Sequence, residues 1–169
     1  STLLIYLILL TLIYVNQRKL LYLPSENNYL DDQIKFNYTE FFLEIDQNTK
    51  IKSWLIEKDL KKYKTLLFFH WNAGNLFNRS YKLNKLNELN LNVLIISWRS
   101  FSGNTGEPTE LNLYNDANKA VEWLNNKGVK SENIILYGES LGTGVAVEIG
   151  QSNKFNSIIL ESPYTSMEK

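Results

Sequence analysis

The sequence predicts an α/β fold with a mostly parallel sheet and helices on both of its faces. Continuous apolar runs rich in Ile, Leu and Phe occur at residues 65–70, 92–98, 133–138 and 157–162, as is typical of strands buried on both faces. Helical periodicity lies between these runs, and strand-helix alternation indicates right-handed crossovers between parallel strands. A serine flanked by glycines directly follows the third run, which is typical of a tight strand-to-helix turn.

The composition indicates one globular domain without a strong charge preference. The chain has 169 residues, 44% of them hydrophobic, which is enough for one ordinary core. Lys+Arg and Asp+Glu both total 18, and no basic run occurs, so the sequence argues against nucleic acid as a partner. The absence of cysteine excludes disulfides, thiolate catalysis and Cys-ligated metal, and it leaves the cellular compartment open.

The first segment differs in kind from the rest. Residues 1–15 carry no charge, and Arg18 and Lys19 follow shortly after, whereas a membrane span needs about 20 apolar residues. We therefore predict a transmembrane anchor over residues 1–20 that is incomplete at its front, since the chain begins with Ser1 instead of methionine. No small-x-small cleavage site follows, which disfavours a signal peptide, and the all-round apolar character disfavours a buried amphipathic helix. The side of the membrane stays open.

The rest of the chain divides into a linker over residues 21–37 and an α/β domain over residues 38–169. Residues 38–45 and 50–57 alternate apolar and polar side chains, which predicts two half-exposed strands in a hairpin with its turn at Gln47 and Asn48. The clearest helix is expected over residues 110–126, with Pro108 and Thr109 as start signals. Its apolar stripe comprises Leu113, Ala117, Ala120, Val121 and Leu124.

The glycine-flanked serine is Ser140, between the run ending at Tyr137 and a helix expected to begin near Leu141. Gly138 and Gly142 remove side chains that would collide in so tight a turn, which places the serine hydroxyl at the carboxyl edge of the sheet. Open α/β sheets bind ligands at that edge. The N–H of Leu141 lies at the helix N-terminus, where the dipole favours an oxyanion. The pattern predicts a catalytic nucleophile; an ordinary glycine-rich turn is the alternative.

Five stretches together carry a resemblance to a known family. They are "QRKLLYLP", "FFHWNAGN", "SWRSFSGNTGEPTE", "YGESLGTG" and "LESPYTSM". In this order they resemble the alpha/beta-hydrolase superfamily, and within it the membrane-anchored abhydrolase-domain branch of the bud-emergence type. The resemblance implies the alpha/beta-hydrolase fold and a serine hydrolase that cleaves a small-molecule, acyl or peptide ester, thioester or amide. It implies neither a metal nor an organic cofactor.

The resemblance also implies roles for the remaining site residues. In the family, the triad acid and histidine follow the serine in loops far downstream, and only 29 residues follow Ser140, so both partners are expected outside this chain, which alone should be inactive. His70, the only histidine, is expected to shape the oxyanion loop, with the N–H of Asn72 as a second oxyanion donor. The family has glycine where this chain has Trp71 and Ser100. A non-catalytic hydrolase-fold protein is the competing interpretation.

Overall fold

A computed structural model describes residues 2–25 and 34–165. Helix α1 (Thr2–Leu21) leads into the short strand β1 (Leu23–Pro24), and the domain follows. Its elements are β2 (Thr39–Glu44), β3 (Lys50–Ile56), β4 (Thr65–Phe69), β5 (Ala73–Gly74), a 3-10 turn (Leu76–Arg79), α2 (Ser80–Asn87), β6 (Asn92–Ile96), α3 (Glu110–Asn126), a second 3-10 turn (Ser131–Asn133), β7 (Ile134–Glu139), α4 (Leu141–Gly150) and β8 (Ser157–Glu161).

The main sheet has the strand order β2-β3-β6-β4-β7-β8. Strand β3 pairs antiparallel with β2 and β6, whereas β6, β4, β7 and β8 run parallel to one another. The predicted mostly parallel sheet is thereby confirmed. Because the parallel strands share one direction, the loops that follow β4, β6, β7 and β8 all meet at the carboxyl edge of the sheet.

Two apolar cores cover the two faces of the sheet, as predicted. Successive residues of a strand point to opposite faces, so Leu67 and Phe69 join the core formed with α3 and α4. Leu66 and Phe68 join the opposite core, to which α2 contributes Leu83. The central strands are therefore apolar on both faces.

Most predicted elements occur where the sequence places them. The predicted helix bounds coincide with α3, whose Thr109 hydroxyl accepts a hydrogen bond from the Asn112 N–H at 3.2 Å. Helix α4 begins at Leu141, and the hairpin turn contains Asn48, whose N–H donates to Asp46 at 2.9 Å. Helix α2 and the paired strands β1 and β5 were not predicted individually.

Two burial predictions are wrong, each because of the strand's place in the sheet. Strand β3 was expected to be half-exposed, but every residue from Ile51 to Ile56 is buried because β3 lies between β2 and β6 with a core on each face. Strand β8 was expected to be buried on both faces, but all five of its residues are exposed. Its only strand neighbour in the described part of the chain is β7.

Helix α1 differs from the domain because none of its side chains is buried. It is the one helix within the described ranges that is long and apolar enough to cross a membrane. A signal sequence near the N-terminus has the same properties. The stretch expected to be a linker, residues 21–37, contributes β1, and its residues 26–33 lie outside the described residues.

Candidate active site

Ser140 lies between the last residue of β7 and the first residue of α4, at the carboxyl edge of the sheet. Its backbone has φ 51° and ψ −113°, a sparsely populated conformation for a residue with a side chain. The Ser140 N–H donates to the carbonyl of Glu161 at 2.9 Å, and the Ser140 carbonyl accepts from the N–H of Thr143 at 2.9 Å. These bonds stabilise a strained turn that leaves the serine side chain half-buried.

The two glycines beside Ser140 allow the turn to form. A Cβ atom on Gly138 would collide with the carbonyl oxygen of Gly142, and one on Gly142 would collide with the carbonyl of Phe69. Both obstacles are backbone atoms that cannot rotate away. The collisions that the sequence analysis expected of side chains at positions 138 and 142 are therefore present in the structure.

The N–H of Leu141 is the first of helix α4. Within the described residues it makes no hydrogen bond, as is usual for the first N–H groups of a helix. The positive end of the helix dipole lies at the same place. A carbonyl oxygen that gains negative charge next to Ser140 would find a donor there.

The loop after β4, residues 70–75, reaches the same edge, and His70 fixes its first peptide. The His70 side chain is fully buried, and its Nδ1 lies 2.7 Å from the carbonyl oxygen of Trp71. The Trp98 N–H donates to Nε2 at 3.4 Å, which leaves the ring proton on Nδ1 for the Trp71 carbonyl. In a trans peptide the C=O and N–H point in opposite directions, so this bond turns the Asn72 N–H away from His70.

His70 is unsuited to be the general base for Ser140. Burial and the neighbouring Arg79 guanidinium hold the pKa of His70 well below its usual range, so the ring is neutral at physiological pH. Both ring nitrogens already have partners within the structure, Trp71 on one side and Trp98 on the other. The contacts of His70 lie instead with the loop that it begins and with Trp98.

The end of helix α1 forms one wall of this loop. The Leu23 N–H donates to the carbonyl of Asn72 at 2.8 Å, and the Asn72 side chain donates to the carbonyl of Leu21 at 2.6 Å. The Ser25 N–H donates to the carbonyl of Gly74 at 3.0 Å, next to the parallel pairing of β1 with β5. The loop and the helix end are therefore one hydrogen-bonded unit. Within the described ranges no residue accepts a hydrogen bond from the Asn72 N–H.

A charge cluster lies under the turn that carries Ser140. Lys82 of α2 donates to Glu139, to Glu161 at 2.7 Å and to Tyr137 at 3.1 Å. Burial alone would lower the pKa of Lys82, but these hydrogen bonds outweigh it and raise the pKa. Hydrogen bonds from Lys82 and Tyr137 lower the pKa of Glu161. Glu161 is thus an ion-pair partner that ties β8 to α2 and β7.

Arg79 and Lys82 were missed by the sequence analysis. Both lie in the segment between β5 and β6, where apolar residues at helical spacing, Leu83 and Leu86, are the signal that could have located α2. Nothing in the local pattern shows that Arg79 turns toward residues 70–73, because that contact depends on the tertiary fold.

Several known proteins are similar to this chain in sequence. Protein bem46 of Schizosaccharomyces pombe is 32% identical over 181 residues, which covers 99% of this chain and 60% of that protein. The alpha/beta hydrolase domain-containing protein WAV2 of Arabidopsis thaliana is 27% identical over 162 residues, covering 89% of this chain and 53% of that protein. The human alpha/beta hydrolase domain-containing protein 17B is 36% identical over 104 residues, covering 60% and 36%.

The chain belongs to the abhydrolase-domain branch of the alpha/beta hydrolases. An esterase of Pyrococcus furiosus supports the fold of this abhydrolase-domain chain, with a TM-score of 0.71 at 22% identity over 88% of this chain and 57% of that one. An alpha-beta hydrolase of Vibrio vulnificus gives a TM-score of 0.67 at 23% identity over 77% and 47%. No family model matches the sequence. The chain spans 60% or less of each curated relative named above.

Proposed function

We propose that this chain carries the nucleophile and the oxyanion donors of a membrane-anchored serine hydrolase. Ser140 is the nucleophile, and the N–H groups of Leu141 and Asn72 bind the oxyanion. Gly138 and Gly142 permit the turn, and His70 shapes the loop. The bond that is cleaved is an ester, a thioester or an amide.

The conformation of Ser140 is the observation that carries the proposal. A serine at φ 51° between a buried strand and a helix is strained, and such strain is concentrated at functional sites. Glycine would adopt φ 51° with ψ −113° without this strain, so we attribute the presence of a serine here to its hydroxyl. Membership of the hydrolase family adds independent support.

The reaction follows from the groups at this edge. The Ser140 hydroxyl attacks the substrate carbonyl, and its proton passes to a histidine. The carbonyl oxygen becomes an oxyanion, which the N–H groups of Leu141 and Asn72 stabilise. Collapse expels the alcohol, thiol or amine and leaves an acyl group on Ser140, and water then releases the acid.

The histidine and the acid come from sequence beyond these 169 residues in the proposed mechanism. Ser140 needs a base, and the only histidine of the chain, His70, has both ring nitrogens engaged in the oxyanion loop. The chain spans 60% of bem46, so a relative of full length has room for both groups.

A test of the nucleophile compares Ser140→Ala with Ser152→Ala in the full-length protein encoded by the gene. Ser152 lies just beyond the far end of α4, and its hydroxyl caps the carbonyl of Ile149 at 2.8 Å. Labelling by a fluorophosphonate probe should vanish in Ser140→Ala and persist in Ser152→Ala. Hydrolysis of a p-nitrophenyl ester should fall by several powers of ten in Ser140→Ala only, because no other group can form the acyl-enzyme.

Persistent labelling of Ser140→Ala would exclude Ser140 as the nucleophile. A folded full-length protein that neither takes up the probe nor hydrolyses the ester would favour the non-catalytic alternative. The 169-residue chain alone should show no Ser140-dependent turnover, because it lacks a base.

Helix α1 is the proposed membrane anchor. It has 20 residues, none of them buried, and its last turn carries Arg18 and Lys19. A helix that is apolar on all faces is unfavourable in water and suited to hydrocarbon. After alkaline carbonate extraction the protein should stay in the membrane pellet, with α1 still present on N-terminal sequencing. Loss of α1 from the mature protein would identify it as a cleaved signal sequence instead.

A further inference from the structure

We propose that Arg79 is a positioning residue for the oxyanion loop: its buried guanidinium fixes Trp71 and Ala73, and so orients the Asn72 N–H between them. The proposal rests on the proposed function, because it assigns a purpose to a loop that binds the oxyanion. Arg79 itself lies outside the loop, at the end of the 3-10 turn that precedes α2.

Arg79 is enclosed by the loop. The residue is 1% exposed, and its Nη2 donates to the carbonyl of Ala73. Nη2 also lies 3.1 Å from Nδ1 of His70, where it makes no hydrogen bond because Nδ1 carries the ring proton. The guanidinium carbon lies 3.6 Å from the centroid of the Trp71 ring, within the range of a cation–π contact. Each of these contacts is made to a residue of the segment 70–73.

Arg79 forms no direct ion pair among the described residues. Within the described ranges its Nε and Nη1 have no hydrogen-bond partner, and no carboxylate forms a salt bridge with it. Burial lowers the pKa of Arg79 to about 9, so the side chain is still a cation at neutral pH. The negative charge of Glu139 opposes this effect of burial and raises the pKa of Arg79, but no carboxylate oxygen of the described residues lies within salt-bridge distance of the guanidinium. The direct contacts of the buried cation are therefore those with the loop.

Trp71 gives Arg79 its importance in this chain. A glycine at position 71 would leave no side chain to place, whereas this chain has a tryptophan there. An indole there must rest on a surface, and the planar guanidinium supplies one, as the flexible ammonium of a lysine would not. The Trp71 ring and the Arg79 side chain therefore act as a pair.

The pair determines the direction of the proposed donor. His70 fixes the peptide that joins Trp71 to Asn72, and Arg79 fixes the carbonyl of Ala73. The Asn72 N–H belongs to the first of these peptides, and the Ala73 carbonyl belongs to the peptide 73–74 farther along the loop. The chain is thus held on both sides of Asn72, and a loss of either contact lets its N–H rotate away from the oxyanion. A small displacement of an oxyanion donor affects the transition state more than the bound substrate.

The test measures kcat and KM of the full-length protein for a p-nitrophenyl ester with Arg79→Lys and, as a control, Lys85→Gln. Lys85 is a basic residue of the adjacent helix α2 that is exposed and pairs only with Glu88 among the described residues. Arg79→Lys keeps the charge but removes the planar fork, and kcat should fall about tenfold to a hundredfold, with KM changed less than about threefold. Lys85→Gln should match the wild type.

A double-mutant cycle compares the loss of kcat caused by Arg79→Lys in two backgrounds, and general destabilisation would affect both backgrounds equally. In a Trp71→Gly background there is no indole to support, so Arg79→Lys should cost at least about fivefold less in kcat than it does beside Trp71. If Arg79→Lys fails to fold, a comparison of kcat between Trp71→Phe and Trp71→Leu tests the inference instead. Phe keeps an aromatic face for the guanidinium, so Trp71→Phe should lose several-fold less kcat than Trp71→Leu.

Equal kcat in Arg79→Lys and wild type would overturn the inference. Equal losses in the presence of Trp71 and in the Trp71→Gly background would overturn it too, as would equal kcat for Trp71→Phe and Trp71→Leu. Ser140→Ala separates this failure from that of the proposed function. If Ser140→Ala leaves the hydrolysis unchanged, the proposed function is wrong; if it abolishes hydrolysis while Arg79→Lys has no effect, only the role of Arg79 is wrong.

Discussion

The turn around Ser140 and the loop from His70 to Asn75 meet at the same edge of the sheet, but they are stabilised in different ways. The turn is made possible by two glycines that lie two positions from the serine, Gly138 and Gly142, which let β7, α4 and the backbone of β4 approach closely. The loop depends on side chains and strands that are distant in sequence, namely β1 after helix α1 and Arg79 before α2.

The difference shows which part of a site a sequence can disclose. A turn determined by steric exclusion has a local signature, because small residues must occupy fixed offsets from the serine. A loop determined by contacts with several elements has no such signature, since each supporting residue lies in its own local context. The two regions should therefore respond differently to substitution.

The largest expected effect is in the turn, where Gly142→Ala should destabilise the protein by about 3 kcal/mol. The added Cβ would collide with the backbone carbonyl of Phe69 in β4, so either the strand or the helix must shift. Urea unfolding followed by tryptophan fluorescence in detergent micelles measures the change.

Gly150→Ala is the matched control because Gly150 ends the same helix. Its added Cβ would meet the terminal methyl of Ile158, a flexible and exposed side chain that can rotate away. Alanine is also favoured over glycine in helices by roughly 1 kcal/mol, so Gly150→Ala should lie within about 1 kcal/mol of the wild type. Equal losses in both variants would mean that close packing of the turn is not what Gly142 provides.

A smaller effect is expected in the loop, from the titration of His70. The pKa of His70 is lowered well below its usual value by burial and by the nearby Arg79, so the folded protein does not take up the proton that the unfolded chain binds below about pH 6.5. The neutral ring stabilises the fold above pH 6.5, and this contribution is lost as pH falls. The loss is limited to about 1.4 kcal/mol for each pH unit below the unfolded-state pKa of about 6.5.

His70→Asn isolates this contribution, since His70 is the only histidine in the sequence. The Asn amide can replace Nδ1–H as donor to the Trp71 carbonyl, but it does not titrate. Free energies of unfolding measured at several pH values should give a flatter profile for His70→Asn between about pH 5.5 and 7.5. Parallel profiles for the two proteins would show that His70 accepts a proton in the folded state and is not enclosed as described.

The same contrast explains what the sequence could predict of the fold. The parallel sheet, the bounds of α3 and the start of α4 follow from continuous apolar runs, a helical stripe and the glycines around Ser140. The burial of β3 and the exposure of β8 were mispredicted because the place of a strand in the sheet order is a property of pairing between distant segments. Alternation within a strand is visible in its own residues, whereas the identity of its neighbours is not.

The same distinction between local and distant determinants applies to the residues of the candidate site. Ser140, Leu141 and the two glycines are found from one short stretch, and the structure places them as a strand-to-helix turn at the carboxyl edge. Arg79 has no motif of its own, and its contact with Trp71 arises only when the chain after β5 folds back over the loop. Supporting residues of this kind become visible in coordinates alone.

The smallest expected effect concerns Ser100, which extends the comparison to the loop after β6 at the same edge. Ser100 has φ 71°, a left-handed conformation, and its hydroxyl makes no hydrogen bond within the described residues. Glycine adopts this conformation without the Cβ clash, so Ser100→Gly should raise the free energy of unfolding by about 0.5–1 kcal/mol, after allowance for the greater entropy of glycine in the unfolded chain.

Ser102→Gly is the control, because Ser102 has a similar φ of 55° but its buried hydroxyl accepts from the Leu76 N–H and contacts Ser97. Loss of those bonds offsets the relief of strain, so Ser102→Gly should be neutral or destabilising. Urea titration of both variants measures these free energies of unfolding. If only Ser100→Gly is stabilised, this loop, like the turn at Ser140, holds a serine in a strained backbone. A loss of stability in Ser100→Gly would contradict the left-handed conformation of Ser100.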